Sequence, residues 1–525
     1  SRRSRRPWIG RASLIALAGC LSWAVVWPAA AQDTCYRVVD LGTLGFTPNI
    51  DHIFGINNAN QAVFTAEVGG KKHAMLYLPV DAFGLTAGVH DLHELAGAAI
   101  PGDESVAHDI NAAGIAVGWG KIGGERHAFV WRLDLPVHQF IDLGTFATGV
   151  WSEAWAISDD SPDPWIVGKG EILGNCVCDD QGPQNHLLTR GFALELIDPP
   201  PFLTAAAELE RDPGTLCENI TAALDINNGP EPTAAGFQFF GGGTCTDAPP
   251  GTALNWPDPD PPAPRAGVAL PLLPAGLGSV ARGISNLEAF SGFAITSVPQ
   301  SHAAYWDTVA GPIVDLGSLL APGEQSWGWR INNNAPPGGV IQVVGNTGTL
   351  GEGLLWECAG NCDLVANWSF TDLNESIQHC SSTWIIRQAH DVNDNGWIIG
   401  VGNAPGQSHA ILLTPLENCC DTDLNGDGTV GAADLLALLV AWGPCDPLPA
   451  DCLADLDCDG SVGAADLLIL LIDWGAVCNN GVLVGGGPVP RNVQDCIDRF
   501  CCDEEDLPAF EHCICLVDPE CDITP

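Results

Sequence analysis

"DVNDNGWIIGVG", Asp391 to Gly402, is the stretch on which the fold turns. Val392-Asn393 closes one apolar run, Ile398 opens the next, and Asn395-Gly396 between them has the chemistry of a tight hairpin turn. The same step recurs at Ile56-Asn57, Ile110-Asn111, Ile157-Ser158, Ile226-Asn227, Ile284-Ser285 and Ile331-Asn332. Two other signatures keep it company. One reads "VVDLGTLG" near Asp40, "VHDLHEL" near Asp91, "FIDLGTF" near Asp142 and "IVDLGSL" near Asp315. The other reads "KHAMLYL" from Lys72, "RHAFVWR" from Arg126, "SHAAYWD" from Ser301 and "SHAILLT" from Ser408. Together they mark seven units between Tyr36 and Pro415, of which the fourth and fifth have drifted most.

A unit of roughly fifty residues with about four strands cannot bury both faces of its sheet alone. Radial stacking solves this, so a mainly β chain forming a seven-bladed β-propeller over 36–415 is expected. A parallel β-solenoid is the alternative, but its repeats are usually shorter. Insertions such as the Cys176–Cys178 loop and "WPDPDPPAPRAG" from Trp256 belong on the rim of such a ring.

The "HAFVW" and related segments resemble the HAF extracellular repeats of bacterial exported proteins across about 36–415. That resemblance implies export and little about activity. Because His73, His127, His302 and His409 hold the same place in different units, they are expected to make one repeated structural hydrogen bond. His90-Asp91-Leu92-His93 is a poor zinc site, since on a strand its two histidines point to opposite faces. Asp391, Asn393 and Asn395 imitate a calcium loop, yet other units use that place as a plain turn. No nucleophile elbow, zinc-protease helix or phosphate-binding glycine loop appears, so no catalytic residue is assigned.

Acidic residues outnumber basic ones 64 to 20, for a net charge of -44. Nucleic acid and anionic membrane surfaces are therefore poor partners. The start, "SRRSRRPWIGRASLIALAGCLSWAVVWPAAAQD", has the layout of a secretory signal peptide over 1–31, cleaved after Ala31. Leu17-Ala18-Gly19-Cys20 leaves open a lipoprotein anchored at Cys20, and Ser4-Arg5-Arg6 a twin-arginine route. Either way the expected location is extracellular or periplasmic, with no transmembrane helix in the mature chain. Beyond Cys20 an even set of 20 cysteines suits disulfides.

Near the C-terminus one segment occurs twice, "DLNGDGTVGAADLLALLVAWG" from Asp423 and "DLDCDGSVGAADLLILLIDWG" from Asp455. A twelve-residue calcium loop wants oxygen ligands at positions 1, 3 and 5, glycine at 6, a carbonyl at 7 and a carboxylate at 12. Asp423, Asn425, Asp427, Gly428, the Thr429 carbonyl and Asp434 meet this in the first copy. Asp455, Asp457, Asp459, Gly460, the Ser461 carbonyl and Asp466 meet it in the second. Each loop should run into one apolar helix, Asp434 to Trp442 and Asp466 to Trp474, stopped by Gly443 and Gly475. Pro415 and "GPCDPLPADC" leave no room for a helix before either loop, so a sensor that reorients two helices is disfavoured.

A loop followed by a single helix, duplicated, is similar to a type I dockerin. The resemblance implies two Ca2+ sites over 419–478 and a cohesin-like or cell-surface partner. The partner-reading positions hold Ala432, Ala433, Ala464 and Ala465, unlike the small polar residues common there. A Gly/Pro linker at 479–490 and a Cys-rich helical hairpin at 491–525 complete the expected order. The sequence thus favours an exported calcium-binding protein with a propeller for ligand or protein binding. The alternative is an extracellular polysaccharide-degrading enzyme or its accessory subunit, a glycoside hydrolase binding carbohydrate.

Overall fold

Short runs of Val, Ile, Ala and Trp punctuated by glycine and asparagine suit antiparallel strands joined by tight turns, and the described residues are mostly such strands. A computed structural model describes residues 35–484 except 46–53, 147–148, 161–162, 177–183, 198–206, 211–219, 229–231, 240–251, 258–264, 298–299, 334–338, 349–350, 378–383, 405–406, 417–419, 446–452, 457–460 and 480–481. The expected signal peptide and Cys-rich tail lie outside the described residues.

Seven four-stranded blades follow one another in sequence, with inner strands Gly55–Ile56, Ser105–Ile110, Ser152–Ile157, Ile220–Ile226, Gly278–Ile284, Ser326–Ile331 and Ile385–Val392. Blades three and four merge into one nine-stranded sheet through a parallel contact of Thr189 with Ile220. The ring is closed by its first strand: Cys35–Thr43 pairs with Gln407–Leu416 and becomes the outer edge of blade seven. Buried side chains lie between adjacent blades, as where Phe129 and Trp131 pack with Leu76 and Leu78 of the preceding blade.

The recurring histidines behave as expected. Nδ1 of His73, His127, His302 and His409 bonds Asp91, Asp142, Asp315 and Asp40, the aspartates of the "DL" signature, at 2.7 to 3.0 Å. One repeat signature thus grips another across the outer strand pair of four blades.

A second stitch was not legible in sequence. The alanine after the histidine donates its N–H to a buried hydroxyl at the start of the next blade: Ala74 to Ser105, Ala128 to Ser152 and Ala303 to Ser326, with Gly191 to Thr221 and Ala253 to Ser279 in blades lacking that motif. Ser152 also donates to the Gly144 carbonyl. Ser152→Ala strands a buried N–H, and a loss of about 2 kcal/mol in urea-unfolding stability is expected.

Three details depart from expectation. His93 is not on a strand, because Asp91 caps helix α1, Leu92–Ala96, by accepting the Glu94 N–H. His93 therefore stacks on His73 and bonds Ser105 rather than facing away from His90. Helices α2, Ala432–Val440, and α3, Ala464–Ile472, begin two residues earlier than expected, on the Ala-Ala pairs themselves. The expected linker is not wholly irregular, since Val477–Asn479 pairs with Val482–Val484 as a small hairpin. Among the described residues no helix is long and apolar enough to cross a membrane.

Candidate functional site

Six inner strands carry a register shift near their C-terminal end, between Ala107 and Asp109, Ala154 and Ala156, Ala223 and Asp225, Ala281 and Gly283, Gly328 and Ile331, and Ala389 and Asp391. A bulge re-aims the residue that follows it. The position before the Ile-Asn step thereby reaches the axis, where it is Gly55, Asp109, Ala156, Asp225, Gly283, Arg330 and Asp391. Asp109, Asp225, Arg330 and Asp391 line an axial cavity of about 90 Å³ whose walls are almost entirely polar.

The three aspartates alternate with small residues for a reason. Asp391 accepts the Ile56 N–H of blade one, Asp109 the Ile157 N–H of blade three and Asp225 the Ile284 N–H of blade five. Each also accepts the N–H of the residue after it. Six blades are stitched as three pairs, and the remaining one, blade six, contributes Arg330, which bonds Asp225. One guanidinium cannot neutralise three buried carboxylates. Burial accordingly pushes Asp391 up to about 8 and Asp109 up to about 6, although Arg330 opposes both shifts. Burial also works against the Arg330 charge, but Asp225, Asp109 and Asp391 outweigh it and hold its pKa above the ordinary arginine value.

One residue beyond the Ile-Asn step the mouth of the cavity is ringed by side-chain oxygens. Those of Asn58, Asp394, Asn333, Asn286, Asn228 and Asp159 each accept the backbone N–H of the next ring member, and Ala112 is the one position with no side chain to continue the circle. Asp391, Asn393 and Asn395 are absorbed in this closure. Asn393 bonds the Asn57 carbonyl and Asn395 the Asn58 carbonyl, so their likeness to a calcium loop has a structural explanation.

At the other end of the axis the bulged residues make an aromatic and cationic layer. His108 stacks on Trp155 at 4.7 Å, Lys169 sits 4.5 Å over Trp155, and Arg282 lies 4.3 Å over Trp329. Glu153, only 4% exposed, accepts from Arg126 at 2.6 Å and from the Trp155 indole, with Lys169 at 3.5 Å. Burial works against the Glu153 charge, but Lys169, His108 and Arg126 prevail and hold it below the usual carboxylate range. None of Asp109, Asp225, Arg330 or Glu153 was singled out from sequence. The available signal was a charged residue before the Ile-Asn step in some units where others keep it small.

In the doubled segment, Asp423 and Asp434 are buried. Asp434 accepts the Asn425 N–H through Oδ1 and the Gly431 N–H through Oδ2, tying the loop's third residue to the start of α2. Asp466 accepts the Leu456 and Gly463 N–H groups, tying the second residue of its loop to the start of α3. Asp423 accepts the Gly428 N–H, whereas the Asp427 carboxylate is turned toward Thr429 and Asn425. Asp457 and Asp459 lie outside the described residues, so the second loop is seen only at Asp455, Ser461 and Asp466. An all-oxygen donor set with two buried carboxylates fits a hard divalent cation. Among the described residues, however, no three His, Cys, Asp or Glu side chains stand close enough to share one.

The two copies obey a two-fold relation. Val430 pairs with the chain leaving α3, at Gly475 and Ala476, and Val462 with the chain leaving α2, at Gly443. The Cys420–Cys478 disulfide closes the segment. Ala432 and Ala433 are exposed, and Ala464 and Ala465 half-exposed.

No family model and no curated protein sequence matches this chain. Solved structures similar to it include a soluble aldose sugar dehydrogenase from Escherichia coli, at 12% identity and TM-score 0.32, covering 73% of this chain and 100% of that one. A Trypanosoma rangeli sialidase follows at 7% identity and TM-score 0.31, with 69% and 60% covered. A Porphyromonas gingivalis dipeptidyl peptidase 4 stands at 6% identity and TM-score 0.32, with 68% and 52% covered. At such scores these likenesses carry no argument, and the assignment as a seven-bladed β-propeller rests on the strand order of the chain itself.

Proposed function

We propose that the chain is an exported binding protein in which a HAF-type propeller presents a ligand-binding axis and a dockerin-like module holds two calcium ions and docks onto a cohesin-like or cell-surface domain. The observation that carries the calcium part is the exact repetition of Asp434 and Asp466. Each is buried, each closes position 12 of its loop onto the first turn of a helix, and each ties position 2 or 3 of that loop.

Docking is supported by apolar side chains left outside the module's own core. Leu438 and Leu470 are buried against each other's surroundings, but Leu436, Val440, Trp442, Ile472 and Trp474 are exposed. Such a row at equivalent places on two related helices is costly to leave in water. Calcium would order the loops that present it. Titration of the full chain by calorimetry should give two sites, and binding to a cohesin-type domain should be lost in chelator. A chain that takes up no calcium would overturn the reading.

The alternative, a glycoside hydrolase, needs a carboxylate pair flanking an open cleft. The axial aspartates instead spend their oxygens on backbone N–H groups of neighbouring blades, which favours a scaffold over a catalyst.

A further inference from the structure

The axial end bearing Trp155 and Trp329 has features that stitching the blades does not require. Bulged residues need only be apolar to plug an axis, as Leu224 does in the same cluster. Here cations sit over aromatic rings, and the cluster runs outward to half-buried Phe237, Phe293 and Trp327 on strands of blades four, five and six. Blade two adds Trp119, with Arg126 at 4.8 Å from its ring. The Arg126 side chain is 54% exposed, so its head is reachable from solvent while it holds Glu153.

This end is also walled on one side. The strand pair Trp165–Cys176 and Gln184–Glu195 stays in register past Lys169, opposite Gly191, out to Cys176, opposite Gln184. That carries the hairpin about 20 Å beyond the level of Lys169. Equivalent hairpins of blades one and two turn at Gly69-Gly70 and Gly123-Gly124, close to the sheet edge.

We propose that this end of the axis binds an acidic saccharide, its carboxylate taken by Arg126 and Lys169 and its sugar rings laid on Phe237, Phe293 and Trp327. In a chain with 20 basic residues against 64 acidic ones, Lys169 and Arg282 on the aromatic cluster, with Arg126 joined to Lys169 through the single carboxylate of Glu153, mark where a further anion is favoured. Guanidinium and ammonium groups bind carboxylates through charge-assisted hydrogen bonds. Flat rings held on strands offer faces on which the C–H side of a pyranose packs without ordering a loop. The overall charge of -44 repels polyanions, which selects a short saccharide with few carboxylates. The inference rests on the propeller being the ligand-binding part and is independent of calcium.

The test is calorimetric titration of the full-length protein, in chelator, with trigalacturonic acid, the neutral galactose trimer and a triglutamate peptide. Trigalacturonic acid should bind at least about tenfold more tightly than either of the others. Arg126→Gln should weaken it by about tenfold, and Trp327→Ala by about fivefold, with circular dichroism unchanged in both. Phe293→Leu supplies a second ring variant should Trp327→Ala fail to fold. No binding, equal binding of acidic and neutral trimers, or preference for the peptide would each overturn the proposal. Because chelator is present throughout, failure here leaves the calcium reading untouched.

Discussion

Arg330→Met should destabilise the propeller by about 3–5 kcal/mol at pH 8 and by much less at pH 5. The arginine is the counter-charge to Asp225, Asp109 and Asp391 on one axis, and methionine fills its volume without its charge. Ionised carboxylates left there have only backbone N–H donors to stabilise them. In the native protein Asp391 is pushed up to about 8 and Asp109 to about 6, whereas in the unfolded chain both titrate near the ordinary value of 3.8. Between those limits the folded state holds protons that the unfolded state has released, so stability falls as pH rises from about 4 to about 8. Removing Arg330 deletes the side-chain charge that opposes burial at both carboxyls, which raises both further and steepens that fall. Urea-unfolding curves at pH 5 and pH 8 measure it. An equal loss at the two values would mean that Arg330 acts through packing alone.

The propeller was legible in sequence because its signatures are the bonds that make it. The histidine of "HA" and the aspartate of "DL" recur together since each is the other's partner, at His73 with Asp91 and again at His409 with Asp40, 369 residues apart. The asparagine after the isoleucine recurs because its side chain closes its own turn and reaches the next blade, as Asn57 does to Gln61 and to the Asn111 carbonyl. The axial charges were not legible. A propeller axis has one position per blade, and there Asp stands in three units, Gly in two, and Ala and Arg in one each, so no single letter runs through the repeat. Glu153 and Arg126 belong to adjacent blades and meet only when those blades pack together. The short helix at Leu92 escaped for a local reason: Asp91 serves the repeated histidine bond with one oxygen and caps the helix with the other.

Replacing Asp434 and Asp466 together by Asn should lower calcium affinity of the full chain by on the order of a hundredfold or more, while the helices of the calcium-free protein persist. The two roles of each aspartate make the choice of asparagine matter. As a first-turn residue, Asp434 accepts the Gly431 N–H through Oδ2, an interaction of about 1 kcal/mol that an amide oxygen retains while the Oδ1 bond to the Asn425 N–H is lost. As the twelfth residue of a loop it would offer a cation a charge and two oxygens, and the amide keeps only one oxygen and no charge. Alanine would remove both roles and confuse them. The calcium-free variant is held together by Cys420–Cys478, a link spanning 58 residues that restricts the unfolded module by about 4 kcal/mol. Helix content by circular dichroism and calcium stoichiometry by calorimetry then separate the outcomes. Loss of helix without calcium would make the two aspartates caps only, whereas unchanged calcium uptake would place the ligands elsewhere in the chain.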